Sequence, residues 1–153
     1  MKRSTAREIA VRLCFSISEN PSDPNELLSC AFSDEYYSSL KDEDAIFEER
    51  PSKKQLDYIS RIVSGVFSHA AELDGYIDKH SVGWRYGRIS RTAAAIMKVA
   101  MFEVLYMPDI PDSVAINEAV ELAKKYETPE TVSFMNGILG SFVRGEKESI
   151  ENG

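Results

Sequence analysis

The sequence predicts an all-α fold, and three observations carry that prediction. Apolar residues recur every three or four positions through nearly the whole chain, which is the spacing of a helical stripe. No segment sustains the alternation of apolar and polar residues, flanked by hairpin turns, that a half-buried strand would show. Proline-containing breaks, at Pro21 and Pro24 and again in MPDIPDS, cut the periodic stretches into helix-length pieces. A chain of 153 residues can bury a real core and is expected to form one domain over 1–145, followed by a polar, frayed tail over 146–153.

The first helix is expected from about Thr5 to Glu19, with Ile9, Leu13 and Ile17 at four-residue intervals and Ala10 and Cys14 beside them. Two short helices, around Glu26–Phe32 and Glu35–Leu40, then lead into an acidic loop. Ser52 and Gln55, in RPSKKQL, form a capping-box pattern in which each side chain serves the other's backbone N–H. The stripe they open, Leu56, Ile59, Val63, Val66, Ala70, Leu73 and Ile77, predicts one helix of about seven turns. A short segment around Trp84 follows, then a helix from about Ser90 to Tyr106 built on Ala93, Ile96, Met97, Ala100 and Val104. Asp112 or Ser113 is expected to cap the next helix. There Ile116, Ala119, Val120 and Ala123 share a face, Glu118, Glu121 and Lys125 fall opposite, and Asn117 lies at the stripe's edge. Thr128 and Pro129 start a last helix that packs Val132, Met135, Leu139 and Val143 inward and stops at Gly145.

Composition excludes several classes. No apolar run approaches the roughly 18 residues of a membrane span, and the amphipathic start, interrupted by Arg7, Glu8 and Arg12, does not read as a signal peptide. A cytoplasmic protein without disulfides is expected, Cys14 and Cys30 being its only cysteines. His69 and His80 have no further ligand at metal spacing, so no metal is expected. Gly137 and Gly140 sit inside a helical run rather than after a strand, which argues against a phosphate loop. No serine lies in a nucleophile elbow. Neither a catalytic residue nor a cofactor is indicated, and a binding module fits better than an enzyme.

The net charge of −7 argues against general nucleic-acid coating, yet the charge is uneven. Residues 1–14 carry Lys2, Arg3, Arg7 and Arg12 against Glu8 alone, and residues 79–98 carry Lys79, Arg85, Arg88, Arg91 and Lys98 with no acid. Ten acids crowd residues 19–50 against Lys41 and Arg50. The basic start reads in three ways: a solvated helix start, a weak anchor on an anionic membrane, or a grip on nucleic-acid phosphates. Single-stranded RNA also needs aromatics on which bases stack, for which Phe15 and Phe134 are candidates.

Three blocks, read in order, resemble the NusB family of transcription antitermination factors. MKRSTAREIAVRLCF at 1–15 is similar to the family's basic opening followed by A-R-E-x-A. VAINEAVELAKKY at 114–126 matches its I-N-E-A-V/I-E-L-A-K signature, and FMNGILG at 134–140 is similar to its F-V-N-G-V/I-L motif. The resemblance implies two packed helical bundles of about seven helices. It also implies a non-enzymatic protein that recognises boxA RNA of nascent ribosomal-operon transcripts, paired with NusE, a small-subunit ribosomal protein, and loaded onto RNA polymerase with other Nus factors. Carried over by motif, Lys2, Arg3 and Arg7 would hold phosphates and Phe134 would meet a base. Phe15 and Asn136 are left between RNA and structural roles, while Asn117 and Glu118 would fix the bundle. Family members occur as monomers and as dimers, so a homodimer stays open. Ser4 and Thr5 stand where several relatives have a denser run of arginines. That thinning motivates the alternative: a NusB-like protein-interaction module that has lost specific RNA binding. A third reading, a subunit of a ribosomal RNA cytosine methyltransferase, finds no nucleotide-binding glycine loop and no catalytic cysteine motif in support.

Overall fold

The stripe of Ile9, Ala10, Cys14 and Ile17 becomes one buried face of the first helix, α1 (Arg3–Glu19). In the computed structural model, which describes residues 1–83 and 89–147, the chain divides into two compact helical units at Ser68 and His69. Among the described residues there are eight α-helices and no strand, and no helix is long and apolar enough to cross a membrane.

In the first unit, α1 packs against α4 (Lys53–Ser68), whose Ile59, Ile62 and Val63 have no exposed surface. The capping box opens α4 as expected: the Ser52 N–H donates to Gln55 Oε1 at 2.8 Å, and the Gln55 N–H donates to Ser52 Oγ at 3.3 Å. The two short helices are α2 (Pro24–Ala31), capped by Asp23 with proline at its first position, and α3 (Asp34–Leu40), capped by Ser33. The acidic loop is better ordered than its composition suggests. It forms a 3-10 turn at Ala45–Phe47 and lies along α1, with Asp44 accepting from Arg12 at 2.5 Å and Glu49 holding the Met1 ammonium at 2.5 Å.

The second unit holds α5 (Ala70–His80), α6 (Arg91–Tyr106), α7 (Asp112–Tyr126) and α8 (Pro129–Phe142), followed by one π-helical turn, Val143–Lys147. Helix α6 is its centre and packs on α5, α7 and α8. At one end His69 stacks on Tyr106, their ring centroids 4.3 Å apart, and Tyr106 donates its hydroxyl to Glu72 at 2.7 Å. That bond to a carboxylate, aided by burial and by the charge of Glu72, pushes the Tyr106 phenol up to about 12.

Four expectations need correction. The stripe from Leu56 to Ile77 serves two helices, because His69 leaves the helical conformation (φ −105°, ψ 18°) without shifting the stripe's phase. Periodicity reports which face is apolar and does not register a break that keeps the phase. Neither Asp112 nor Ser113 caps α7: Pro111 takes the cap position, and Asp112, already helical, accepts from Lys147 at 2.5 Å. The last helix stops at Phe142 and widens into the π turn through Gly145, rather than ending there. The tail is not frayed at its start, since Glu146 accepts from Lys79 at 2.6 Å and lies 2.9 Å from His80 Nε2. Residues 148–153, and the segment around Trp84 with Arg85 and Arg88, lie outside the described residues.

The anchored turn should be sensitive to acid. Donation from Lys79, followed by the bond to His80, holds the Glu146 carboxyl below the usual carboxylate range despite its partial burial. A carboxyl lowered in the folded state stabilises at pH above its unfolded value and loses that contribution as pH falls through the folded one. Between pH about 5 and 3, where free carboxyls protonate, the Glu146 carboxyl carbon should titrate late in an NMR series. Amides of residues 143–147 should gain exchange as it does, and Glu146→Gln should remove the step. A titration at the ordinary glutamate value would show that the latch carries no charge stabilisation.

Candidate nucleic-acid interface

The start of α1 concentrates positive charge where a helix least tolerates it. Lys2 is the N-cap residue and Arg3 the first helical residue, both exposed, and the first turn contains no acid. The N-terminal end of a helix already carries the positive pole of its dipole and unpaired N–H groups. Cations there are unfavourable to folding by a few tenths of a kcal/mol each and make a natural seat for an anion. The Arg3 guanidinium lies over the Tyr58 ring, 4.2 Å from its centroid, a cation–π contact that fixes the side chain's direction.

Arg7 is placed differently from Lys2 and Arg3. It is only 4% exposed, and its guanidinium carbon lies 5.9 Å from the same Tyr58 ring. Tyr58, itself buried on α4, thus orders both arginines. No sequence signal marked it, because it sits on the apolar side of α4 like any core residue. Phe15 is half-buried on α1, and Cys14 is buried in the core. Among the described residues of the second basic stretch, Lys79 pairs with Glu146 and Lys98 with Asp74 at 3.1 Å.

Phe134 is half-buried on α8 and lines a surface pocket with His80, Val82, Ser133, Gly137 and Ile138. His80 is held between Ser141 Oγ, 2.8 Å from Nδ1, and Glu146, 2.9 Å from Nε2. With both ring nitrogens engaged, it has neither a base nor a metal-ligand atom to offer. Among the described residues no cluster of three His, Cys, Asp or Glu side chains is arranged to hold a metal.

A family model described as the NusB family matches residues 4–144. The chain belongs to the NusB family. It is 40% identical over 144 residues to the transcription antitermination protein NusB of Acetivibrio thermocellus, covering 94% of this chain and 90% of that one. The protein of the same name from Ruminiclostridium cellulolyticum is 36% identical over 146 residues, covering 95% and 91%. The solved structure of T. maritima NusB superposes with a TM-score of 0.75 at 25% identity, over 99% of this chain and 98% of that one.

In this NusB-family chain the three motifs fall on α1, α7 and α8. Lys2, Arg3, Arg7 and Phe15 belong to the first unit, and Phe134 and Asn136 to the second. The INEA glutamate, Glu118, is half-buried. Its neighbour Asn117, expected to fix the bundle, is instead exposed and lines a groove between α7 and α8 with Asn136. An exposed amide without an internal hydrogen bond holds no neighbouring helix in place. Glu121 pairs with Lys124 at 2.8 Å on the same helix.

Proposed function

We propose that this protein is a cytoplasmic transcription antitermination factor. It binds boxA-type single-stranded RNA of ribosomal-operon transcripts together with NusE, within an RNA polymerase complex containing other Nus factors. It acts by binding, as its named relatives are antitermination proteins rather than enzymes. The observation that carries the reading is the exposed cationic start of α1, where Lys2 and Arg3 stand at the positive pole of a helix whose first turn holds no acid. Phe134, half-buried at the lining of a surface pocket, is the aromatic side chain this reading assigns to an unpaired base. Arg7 acts from beneath, packed with Arg3 against the same Tyr58 ring rather than reaching the RNA itself.

Burial of Arg7 leaves two exposed cations in this arm, and that favours NusE as a necessary partner for tight RNA binding. It is also the observation behind the second reading, a protein-interaction module without specific RNA binding. Titration of a boxA-type RNA and a scrambled RNA of equal length, with and without NusE at two salt concentrations, separates the two. Selective binding that strengthens with NusE and weakens with salt is expected. Equal affinity for both RNAs under every condition would leave the protein-interaction reading.

A further inference from the structure

Two amides on neighbouring helices of the second unit have no structural duty. Asn117 stands in the interior of α7 and Asn136 in the interior of α8, both exposed and both facing one groove. Among the described residues neither side chain hydrogen-bonds within the chain. Asparagine is a weak helix former because its amide competes for backbone hydrogen bonds. Proteins place it where that competition helps, at caps and turns, and neither position is one. Both residues therefore reduce helix stability with no compensating hydrogen bond.

The groove has the chemistry of a base site rather than a phosphate or charged-peptide site. Ile116, Val120 and Val132 make it apolar. Of the charged groups along it, Glu121 is bonded to Lys124 at 2.8 Å, and Glu127 accepts the Ser90 hydroxyl at 2.6 Å. Two carboxylates against one ammonium disfavour an anion inside it. What remains for a ligand is neutral: the two carboxamides, with the hydroxyls of Ser113 and Ser133 nearby. A carboxamide sets an acceptor beside a two-hydrogen donor, the pattern with which asparagine pairs to a base edge. Unpaired RNA bases expose such edges. Pro129 and Ser133 line both this groove and the Phe134 pocket, so the two adjoin along α8.

We infer that Asn117 and Asn136 form a nucleobase-reading site beside the base that stacks at Phe134. The amides recognise the edge of an unpaired base while its phosphates stay outside the groove. The inference rests on the RNA-binding reading above and assigns part of its sequence discrimination to these two residues.

The test is RNA titration of Asn117→Ala, Asn136→Ala and the double variant, using boxA-type RNA and its scramble, with NusE present, at two salt concentrations. Alanine is the better helix former, so each variant should fold and melt slightly above wild type. Affinity for the boxA-type RNA should fall roughly 5- to 150-fold for a lost bidentate base contact. Affinity for the scramble should barely change, and the salt slope should match wild type. Unchanged affinity, equal weakening of both RNAs or a reduced salt slope would overturn the inference and leave RNA binding itself intact. A double variant that binds RNA normally but loses NusE would assign the groove to the protein partner and overturn it too. If wild type discriminates between the RNAs under no condition, the RNA-binding reading fails and this inference fails with it.

Discussion

Replacing Lys2 and Arg3 together by alanine is expected to lower the slope of log affinity against log salt by about 1.4, since each phosphate contact on a single strand contributes about 0.7. Binding to boxA-type RNA at low salt should weaken roughly 5- to 150-fold, at about 0.5–1.5 kcal/mol for each of two solvent-exposed contacts. The deficit should narrow as salt rises, because the wild type has more ion release to lose. The variant should not be less stable by a comparable amount. Removing two cations from the positive end of α1 relieves about 0.3–1 kcal/mol each, offset by about 0.5–1 kcal/mol for the Arg3 contact with Tyr58. Arg7→Ala is the informative contrast. With 4% of its surface exposed, Arg7 should weaken RNA binding through the position of Tyr58 and Arg3, leaving the slope near that of wild type. Fluorescence anisotropy over a salt series measures all three proteins. An unchanged slope in the Lys2/Arg3 variant would remove the start of α1 from the RNA interface.

The difference between Arg3 and Arg7 shows where sequence reading stops. The two are one turn apart on the same side of α1, and nothing local distinguishes them. What separates them is cover from elsewhere in the fold, including Tyr58, which is 51 positions beyond Arg7 in the chain. The same holds for the latch at Glu146, which depends on His80, 66 residues away. Features set by neighbours in sequence were legible. The α1 stripe, the Ser52–Gln55 capping box and the Ser90 and Thr128 starts of α6 and α8 all involve partners within four residues. The break at His69 was invisible for a different reason. It leaves the apolar phase from Val66 to Leu73 intact, so one helix and two helices predict the same stripe.

The candidate site was legible only where local rules are broken. Cations at a helix start and asparagines in helix interiors both oppose the fold's own preferences, and departures of that kind mark places where something other than stability has been selected. The resemblance of INEA and FMNG to a family pattern gave Asn117, read at the edge of the apolar stripe, the task of fixing the bundle. Its exposure depends on how α7 turns its alanine face, Ala115, Ala119 and Ala123, toward the core. With that face inward, Asn117 is carried to the groove rim.

Phe142→Ala is expected to be the most destabilising single change at any position discussed. Phe142 has no exposed surface; its ring lies 5.3 Å from that of Tyr76 and 6.3 Å, edge-on, from that of His80. It thereby fastens the end of α8 to α5 and supports the imidazole that grips Ser141 and Glu146. Large-to-small changes at buried phenylalanines cost about 3–5 kcal/mol, through lost transfer energy and the cavity left behind. Against a total of about 5–15 kcal/mol for a typical domain, that is a large fraction, and in a chain of this size it should lower the melting temperature by roughly 8–16 °C. Collapse of α8 toward α5 would reduce the loss, but the site offers little room for it. Gly145 already lies so close to His80 that a Cβ there would stand 3.1 Å from the ring. Phe142→Leu, which keeps most of the volume, should cost about 1–1.5 kcal/mol. Urea and thermal denaturation of the two variants measure the difference. A loss under about 1 kcal/mol for Phe142→Ala would mean that α8 reaches the core through Val132, Met135, Ile138 and Leu139 alone. The π turn would then have to be held by its ion pairs, and Glu146→Gln, not Phe142→Ala, would release it.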